Sequence, residues 1–464
     1  MDFTFFRILM ALIFLLFSSV AFAQKENQRY EVGRRLISFE KEFEGLKDPQ
    51  VLKVICERLK PITFYFFSGQ LDQCAKALDL ARWNCKNKGE LESGQSVADS
   101  LSITPEKRIY SPNDKTINCL ISQVYSVKAK SSLKGKIFFC LPTGEKVCDL
   151  ITVEVESLPV TVSLKIKDVK EGEYHLAMEL FSQDKPVALH KVHISLINDA
   201  SKFVQEMSAA ALKQDSEPWK ASKQYLAMLL NDLLAGKKFE GDIPVKRITD
   251  SKLFLEKGLD AVDQVKGGEY LIAMPGKLGP VPARVFIPPE AKVMRVPLVV
   301  ALHGAGATEN MFFEAYGNGK IKKLCADKGW MLIAPRNGIS ADNLQLLIKE
   351  LPIDPNQVII IGHSMGAAQA LSFALNHTKE IKALGLMGGA GSIGKNQTLG
   401  TLPVFVGVGA EDFARTSVAR FAQDAKKQKD NNLLFKEYEA IEHSSICQVC
   451  LPEMFDFFAL ALKK

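Results

Sequence analysis

Three side chains far apart in the chain are of the types that together carry out nucleophilic acyl transfer. Ser364 lies in Gly362-His363-Ser364-Met365-Gly366, directly after the apolar run VIII (358–361) and directly before a small-residue, helix-compatible stretch. A serine hydroxyl is a poor nucleophile until a base removes its proton. His443 stands just beyond the extended run FKEYEAIE, and Asp412 just beyond PVFVGVGAE. An imidazole can take the serine proton, while a carboxylate holds the other ring nitrogen and stabilises the imidazolium that forms. Adjacent Glu411 offers the same chemistry with a longer reach, so the residues themselves leave the acid open between Asp412 and Glu411. Of the seven histidines, only His377 and His443 follow Ser364, and His377 precedes the acid. His190 and His193 fall in an alternating strand pattern and are expected on its surface.

Acyl transfer also needs donors aimed at the developing oxyanion. The Met365 N–H, at the start of the helix after Ser364, is one. The second is expected from ALHGAGATEN, where an apolar strand runs into His303-Gly304-Ala305-Gly306. Ala305 is the first choice of donor and Gly304 the second; His303 is expected to shape this loop by hydrogen bonding. A helix N-cap serine would also suit position 364. The preceding strand, and the room that Gly362 and Gly366 leave in a tight turn, favour a nucleophile instead. Cys447-Gln448-Val449-Cys450 has metal or redox spacing but no second pair nearby. No metal and no organic cofactor is expected.

These groups need a frame. From about 265 onward, apolar runs at 297–302, 330–335, 358–361, 383–387 and 403–408 alternate with segments that suit helices. Near-continuous apolar strands separated by helices predict a mostly parallel sheet covered on both faces, with ligands bound beyond the strands' carboxyl ends. Residues 265–464 therefore read as an α/β domain, closed by a helix through EMFDFFALAL. Upstream, 24–100 reads as helical and 101–198 as a small β-sandwich. Ile151, Val153 and Val155, then Val160, Val162, Leu164 and Ile166, alternate there with period two. Residues 199–264 return to helical spacing as a connector.

The first 23 residues carry one base, Arg7, before an apolar run closing on Ala21-Phe22-Ala23. This is the form of a secretory signal peptide and predicts a secreted or periplasmic protein with no membrane segment after cleavage. Nine cysteines suit an oxidising compartment, and six of them in the first part of the chain predict one or two disulfides. A formal charge of +6 over this length gives no electrostatic case for a nucleic-acid partner.

The glycine-containing loop at His303–Gly306, the turn Gly362–Gly366, then Asp412 and His443 occur in the order of the α/β-hydrolase family, which residues 270–464 resemble. With GHSMG and Arg336-Asn337-Gly338, the stretch is similar to secreted esterases of the feruloyl-esterase and polyhydroxybutyrate-depolymerase type. It is also similar to the catalytic domain of prolyl-oligopeptidase-type peptidases. Ala367 departs from the glycine usual in those esterases. The short interval between Pro335 and Val358 leaves little room for a lid, so an uncovered pocket is expected. The resemblance implies a serine hydrolase acting on a small or medium acyl ester. The alternatives are a serine peptidase acting on short peptides and a noncatalytic binding protein with a decayed site. The first 240 residues resemble no named family and could hold a polymer or protein partner.

Overall fold

The computed structural model describes residues 27–87, 91–127, 133–155, 158–212, 219–238, 241–428 and 432–463. The expected signal peptide lies outside them. The chain enters as five helices, α1 (27–43), α2 (Pro49–Leu59), α3 (Ile62–Phe67), α4 (Leu71–Asn84) and α5 (Ser93–Ser100). Asp48 starts α2 by accepting from the Gln50 and Val51 amides, with Pro49 at the first helical position. α3, sequence ITFYFF, buries Ile62 yet leaves Phe64 and Phe67 66% and 64% exposed.

Eight strands follow: β1 (Leu101–Pro105), β2 (Ile109–Tyr110), β3 (Thr116–Gln123), β4 (Leu133–Cys140), β5 (Lys146–Val155), β6 (Val160–Lys165), β7 (Gly172–Ser182) and β8 (Lys185–Leu196). They make two sheets, β1-β3-β6 and β2-β8-β7-β4-β5. One core joins them, with Ile103, Ile121 and Leu164 from the first sheet and Ile137, Leu176 and Ile194 from the second. The β7–β8 hairpin turns at Gln183-Asp184, both at positive φ, as a two-residue hairpin turn of matching twist requires.

Two expectations fail in this region. All nine cysteines are free thiols, eight of them buried, and so pack as small apolar side chains instead of cross-linking. His190 and His193 are not surface residues. His193 is 5% exposed and sits 3.1 Å from the Glu173 carboxylate, while His190 Nε2 bonds the Ala98 carbonyl at 2.9 Å. Alternation assigns a strand face but does not say what covers it.

Helices α6 (Ala200–Leu212), α7 (Lys220–Leu234) and α8 (Val245–Lys257) lead to an eight-stranded sheet. Its strands are β9 (Gly268–Met274), β10 (Val281–Ile287), β11 (Val296–Leu302), β12 (Met331–Pro335), β13 (Ile353–His363), β14 (Ala383–Met387), β15 (Pro403–Gly409) and β16 (Asn432–Tyr438). The order is β16-β15-β14-β13-β11-β12-β10-β9; β10 runs antiparallel to both its neighbours, β9 and β12, and the remaining pairs are parallel. The antiparallel pair at the start is absent from the sequence reading. An unpaired edge strand is open to pairing with another chain. Here α7 and α8 cover it: Ser222 Oγ bonds both the amide and the carbonyl of Ala273, and Ser251 Oγ accepts from the Leu271 amide.

The covering helices are α9 (Met311–Glu314), α10 (Lys320–Lys328), α11 (Ala341–Glu350), α12 (Met365–Asn376), α13 (Arg415–Lys426) and α14 (Ile446–Ala461). On one face Leu298, Ile360 and Leu384 pack with Ala370 and Val418. On the other, Phe39, Leu59 and Leu78 of the N-terminal helices share a single core with Phe312, Phe455 and Phe458. The N-terminal helices are thus a layer of the sheet's own core. No helix among the described residues is long and apolar enough to cross a membrane.

Candidate active site

β13 ends at His363, and α12 begins at Met365. Between them Ser364 is held at φ 56° and ψ −119°, a conformation that costs a non-glycine residue on the order of 1–3 kcal/mol and persists only where the surroundings enforce it. The flanking glycines make the turn possible. A Cβ on Gly362 would stand 2.1 Å from the Gly366 carbonyl oxygen, and one on Gly366 would stand 2.1 Å from that of Leu302. The Ser364 amide is tied to the Met387 carbonyl at the end of β14, 2.9 Å away. The hydroxyl therefore leaves the sheet at its carboxyl edge.

The structure brings Ser364, His443 and Asp412 together. His443 Nε2 is 2.9 Å from Ser364 Oγ, and Nδ1 is 3.0 Å from both Asp412 carboxylate oxygens. A carboxylate only accepts, so Nδ1 carries the proton and Nε2 is left to accept from the serine hydroxyl. Asp412 is 5% exposed and is fixed by the Ala414 amide at 2.7 Å. Glu411 takes no part: it faces solvent and pairs with Lys60 of the α2 C-terminus at 2.7 Å. The loop carrying His443 is pinned by Glu442, whose carboxylate accepts from the Ser444 and Ser445 amides. Phe413 lies against the His443 ring, with centroids 4.4 Å apart.

His363 is buried, and its bonds define its tautomer. Nε2 lies 3.0 Å from the His443 carbonyl, so it must donate; Nδ1 then accepts from Tyr316 Oη at 2.8 Å. The Gly304 amide donates to the same tyrosine oxygen at 3.3 Å. Burial, together with His443 alongside, pushes His363 down to about 3, keeping the ring neutral.

The Gly304 N–H is thus already engaged by Tyr316. The Ala305 and Met365 amides accept no such engagement: neither has an acceptor among the described residues. His303 holds the loop, with Nδ1 on the Gly304 carbonyl at 2.8 Å and Nε2 on that of Arg336 at 2.7 Å. Further along, fully buried Glu309 clasps the Arg336 guanidinium at 2.6 and 2.5 Å.

The pocket beside Ser364 is not uncovered. Residues of α1, α3 and α4 wall a cavity of ≈ 130 Å³ whose other side is Gly304–Ala307, Ser364 and His443. Cover comes from the N-terminal helices, so the short interval between β12 and β13 says nothing about access. Sequence reasoning also missed Tyr316, Gly388 and Gly389. A Cβ on Gly388, at φ +55°, would be 3.0 Å from Asp412 Oδ2, and one on Gly389 would be 2.5 Å from the Ser364 carbonyl oxygen. The run MGGAG at the end of β14 was the available signal. No group of three or more metal-ligating side chains occurs among the described residues.

A family model described as the alpha/beta hydrolase fold matches residues 341–442, which include Ser364 and Asp412. No curated protein matches the chain. Among solved structures, an S-formylglutathione hydrolase from Agrobacterium tumefaciens is 14% identical with TM-score 0.37, covering 43% of this chain and 97% of its own. A feruloyl esterase module from Clostridium thermocellum is 12% identical with TM-score 0.35, over 42% and 88%. A fluorophosphonate-binding serine hydrolase from Staphylococcus aureus is 11% identical with TM-score 0.35, over 41% and 97%. The C-terminal sheet and its helices have the α/β-hydrolase fold.

Proposed function

We propose that the protein is a serine hydrolase that cleaves carboxylic esters through an acyl-enzyme. The observation that carries this reading is His443, bonded at one ring nitrogen to Ser364 and at the other to Asp412. Ser364 Oγ attacks the ester carbonyl as His443 Nε2 takes its proton; Asp412 fixes the tautomer and stabilises the imidazolium. The Met365 and Ala305 amides hold the oxyanion. His443 then returns the proton to the leaving alcohol, and water repeats the sequence to release the acid. A noncatalytic role accounts less well for a closed relay beside two amides with no acceptor among the described residues. The apolar run closing on Ala21-Phe22-Ala23 supports placing the mature chain outside the cytoplasm.

A fluorophosphonate probe should label the wild-type protein at Ser364. Ser364→Ala should abolish labelling and lower p-nitrophenyl butyrate turnover by on the order of 10⁴-fold or more, with Tm retained. Unchanged turnover would rule out the nucleophile. Cleavage of chromogenic peptides at a rate matching the esters would move the reading to a peptidase.

A further inference from the structure

The wall of the cavity facing the oxyanion loop comes from helices that precede the β-sandwich in the chain. Val32 and Leu36 of α1, Ile62 and Phe66 of α3, and Leu78 of α4 present hydrocarbon to the space beside Ser364. Their position relative to the loop is fixed by contact. Gly306 lies beneath the Phe66 ring so closely that a Cβ there would stand 2.7 and 2.8 Å from two ring carbons, and its φ of +77° suits glycine. Behind the site, Gln448 Nε2 of α14 donates to the Glu40 carbonyl of α1 at 3.0 Å in the buried interior. The same helices share the core of the sheet, so the wall is packed onto the catalytic frame.

The lining fixes the class of ligand. The one ionic side chain of the α1–α4 wall, Arg29, stays at the exposed rim, its guanidinium 5.8 Å from the Phe66 centroid. An uncharged, hydrocarbon group is what such walls accept. The volume of ≈ 130 Å³ is close to the apolar cavity of ~150 Å³ that holds one benzene. Resting on the ester-hydrolase reading, we infer that α1, α3 and α4 form the acyl-binding site. Thr63 and Phe66, one turn apart on α3, line it, and its volume suits an aliphatic acyl group of about four to six carbons. Each methylene removed from water favours the fitting acyl group about fourfold.

The test uses the full chain with p-nitrophenyl esters from acetate to decanoate, read as kcat/KM. The wild type should peak between butyrate and hexanoate. Phe66→Ala enlarges the cavity and should raise the octanoate-to-acetate ratio about tenfold; Thr63→Phe fills part of it and should lower the hexanoate-to-acetate ratio by a similar factor. Phe66→Leu serves in place of the alanine variant if the latter lowers Tm sharply. A parallel series varies the alcohol at constant acyl group. Wild-type ratios in both active variants, or a response to the alcohol series alone, would overturn the assignment. Failure of the wild type to bind the fluorophosphonate or to cleave any ester would instead overturn the hydrolase reading itself.

Discussion

The backbone carbonyl of His443 accepts a hydrogen bond from Nε2 of His363, 3.0 Å away. The residue before the proposed nucleophile therefore holds the loop that carries the proposed base. Through Tyr316 the same ring is linked to the Gly304 amide, so loop, turn and base share one set of bonds.

Tyr316→Phe deletes the donor to His363 Nδ1 and the acceptor for Gly304. Leaving buried polar groups without partners costs about 1–3 kcal/mol. We expect a lower Tm, and a kcat reduced about tenfold with KM little changed, because the misplacement affects the reacting geometry more than the pocket. Steady-state kinetics on p-nitrophenyl butyrate check this; an unchanged kcat would show that the tyrosine is only structural.

The two neighbouring acids should separate cleanly. Asp412→Asn leaves shape intact but offers an amide where His443 Nδ1–H needs a carboxylate, and kcat should fall by roughly 10⁴. Glu411→Gln removes only an exposed ion pair with Lys60, worth about 0–1 kcal/mol, and kcat should stay within about twofold. A larger loss in the glutamine variant would reverse the assignment.

Gly366→Ala places a methyl group on the Leu302 carbonyl oxygen at 2.1 Å, a backbone atom that cannot swing aside. The cost should exceed the about 1–3 kcal/mol of ordinary overpacking, visible as a large drop in denaturant midpoint or loss of soluble protein. Gly400→Ala, with nothing within 4 Å but φ +54°, should cost less.

Two buried histidines should work against folding on mild acidification. His363 is pushed down to about 3 by burial and by His443, and His190 to about 3 by burial and by Arg34 and Arg35. An unfolded histidine titrates near 6.5, so between about 3 and 6.5 each of these rings binds more protons unfolded than folded; Glu40 and Asp99, both raised by burial, Asp99 to about 6, act in the opposite sense. Each histidine's contribution is complete above about pH 6.5 and is lost as pH falls toward 3, at up to about 1.4 kcal/mol per pH unit. Glu269 adds to this lower down. Burial opposes its charge, but Arg284, Arg247 and Lys322 hold it at about 2, so its share is present above about pH 4.5 and lost below. An NMR titration of the folded protein should find both rings still neutral at about pH 5; a ring that protonates between about pH 7 and 5.5 would contradict the histidine contribution.

The sequence by itself determined whatever depends on neighbours along the chain. Near-continuous apolar runs placed β11 to β15 because a strand buried on both faces needs them. Gly362 and Gly366 marked the turn because only glycines fit where Ser364 leaves the sheet, and the strand ends at Asp412 and His443 followed in order. Tertiary structure alone decided what depends on approach between distant segments. Adjacent Glu411 and Asp412 have equivalent chemistry, and only the fold turns one toward Lys60 and the other toward His443. Gly304 and Ala305 are equally good amides until Tyr316 engages the first. The pocket's wall joins residues near 32, 62 and 78 to a site at 364 and 443, and Glu40 meets Gln448 across 408 positions. Such contacts leave no local periodicity, because burying a helix against the sheet demands only an apolar face and says nothing about where that face will be used.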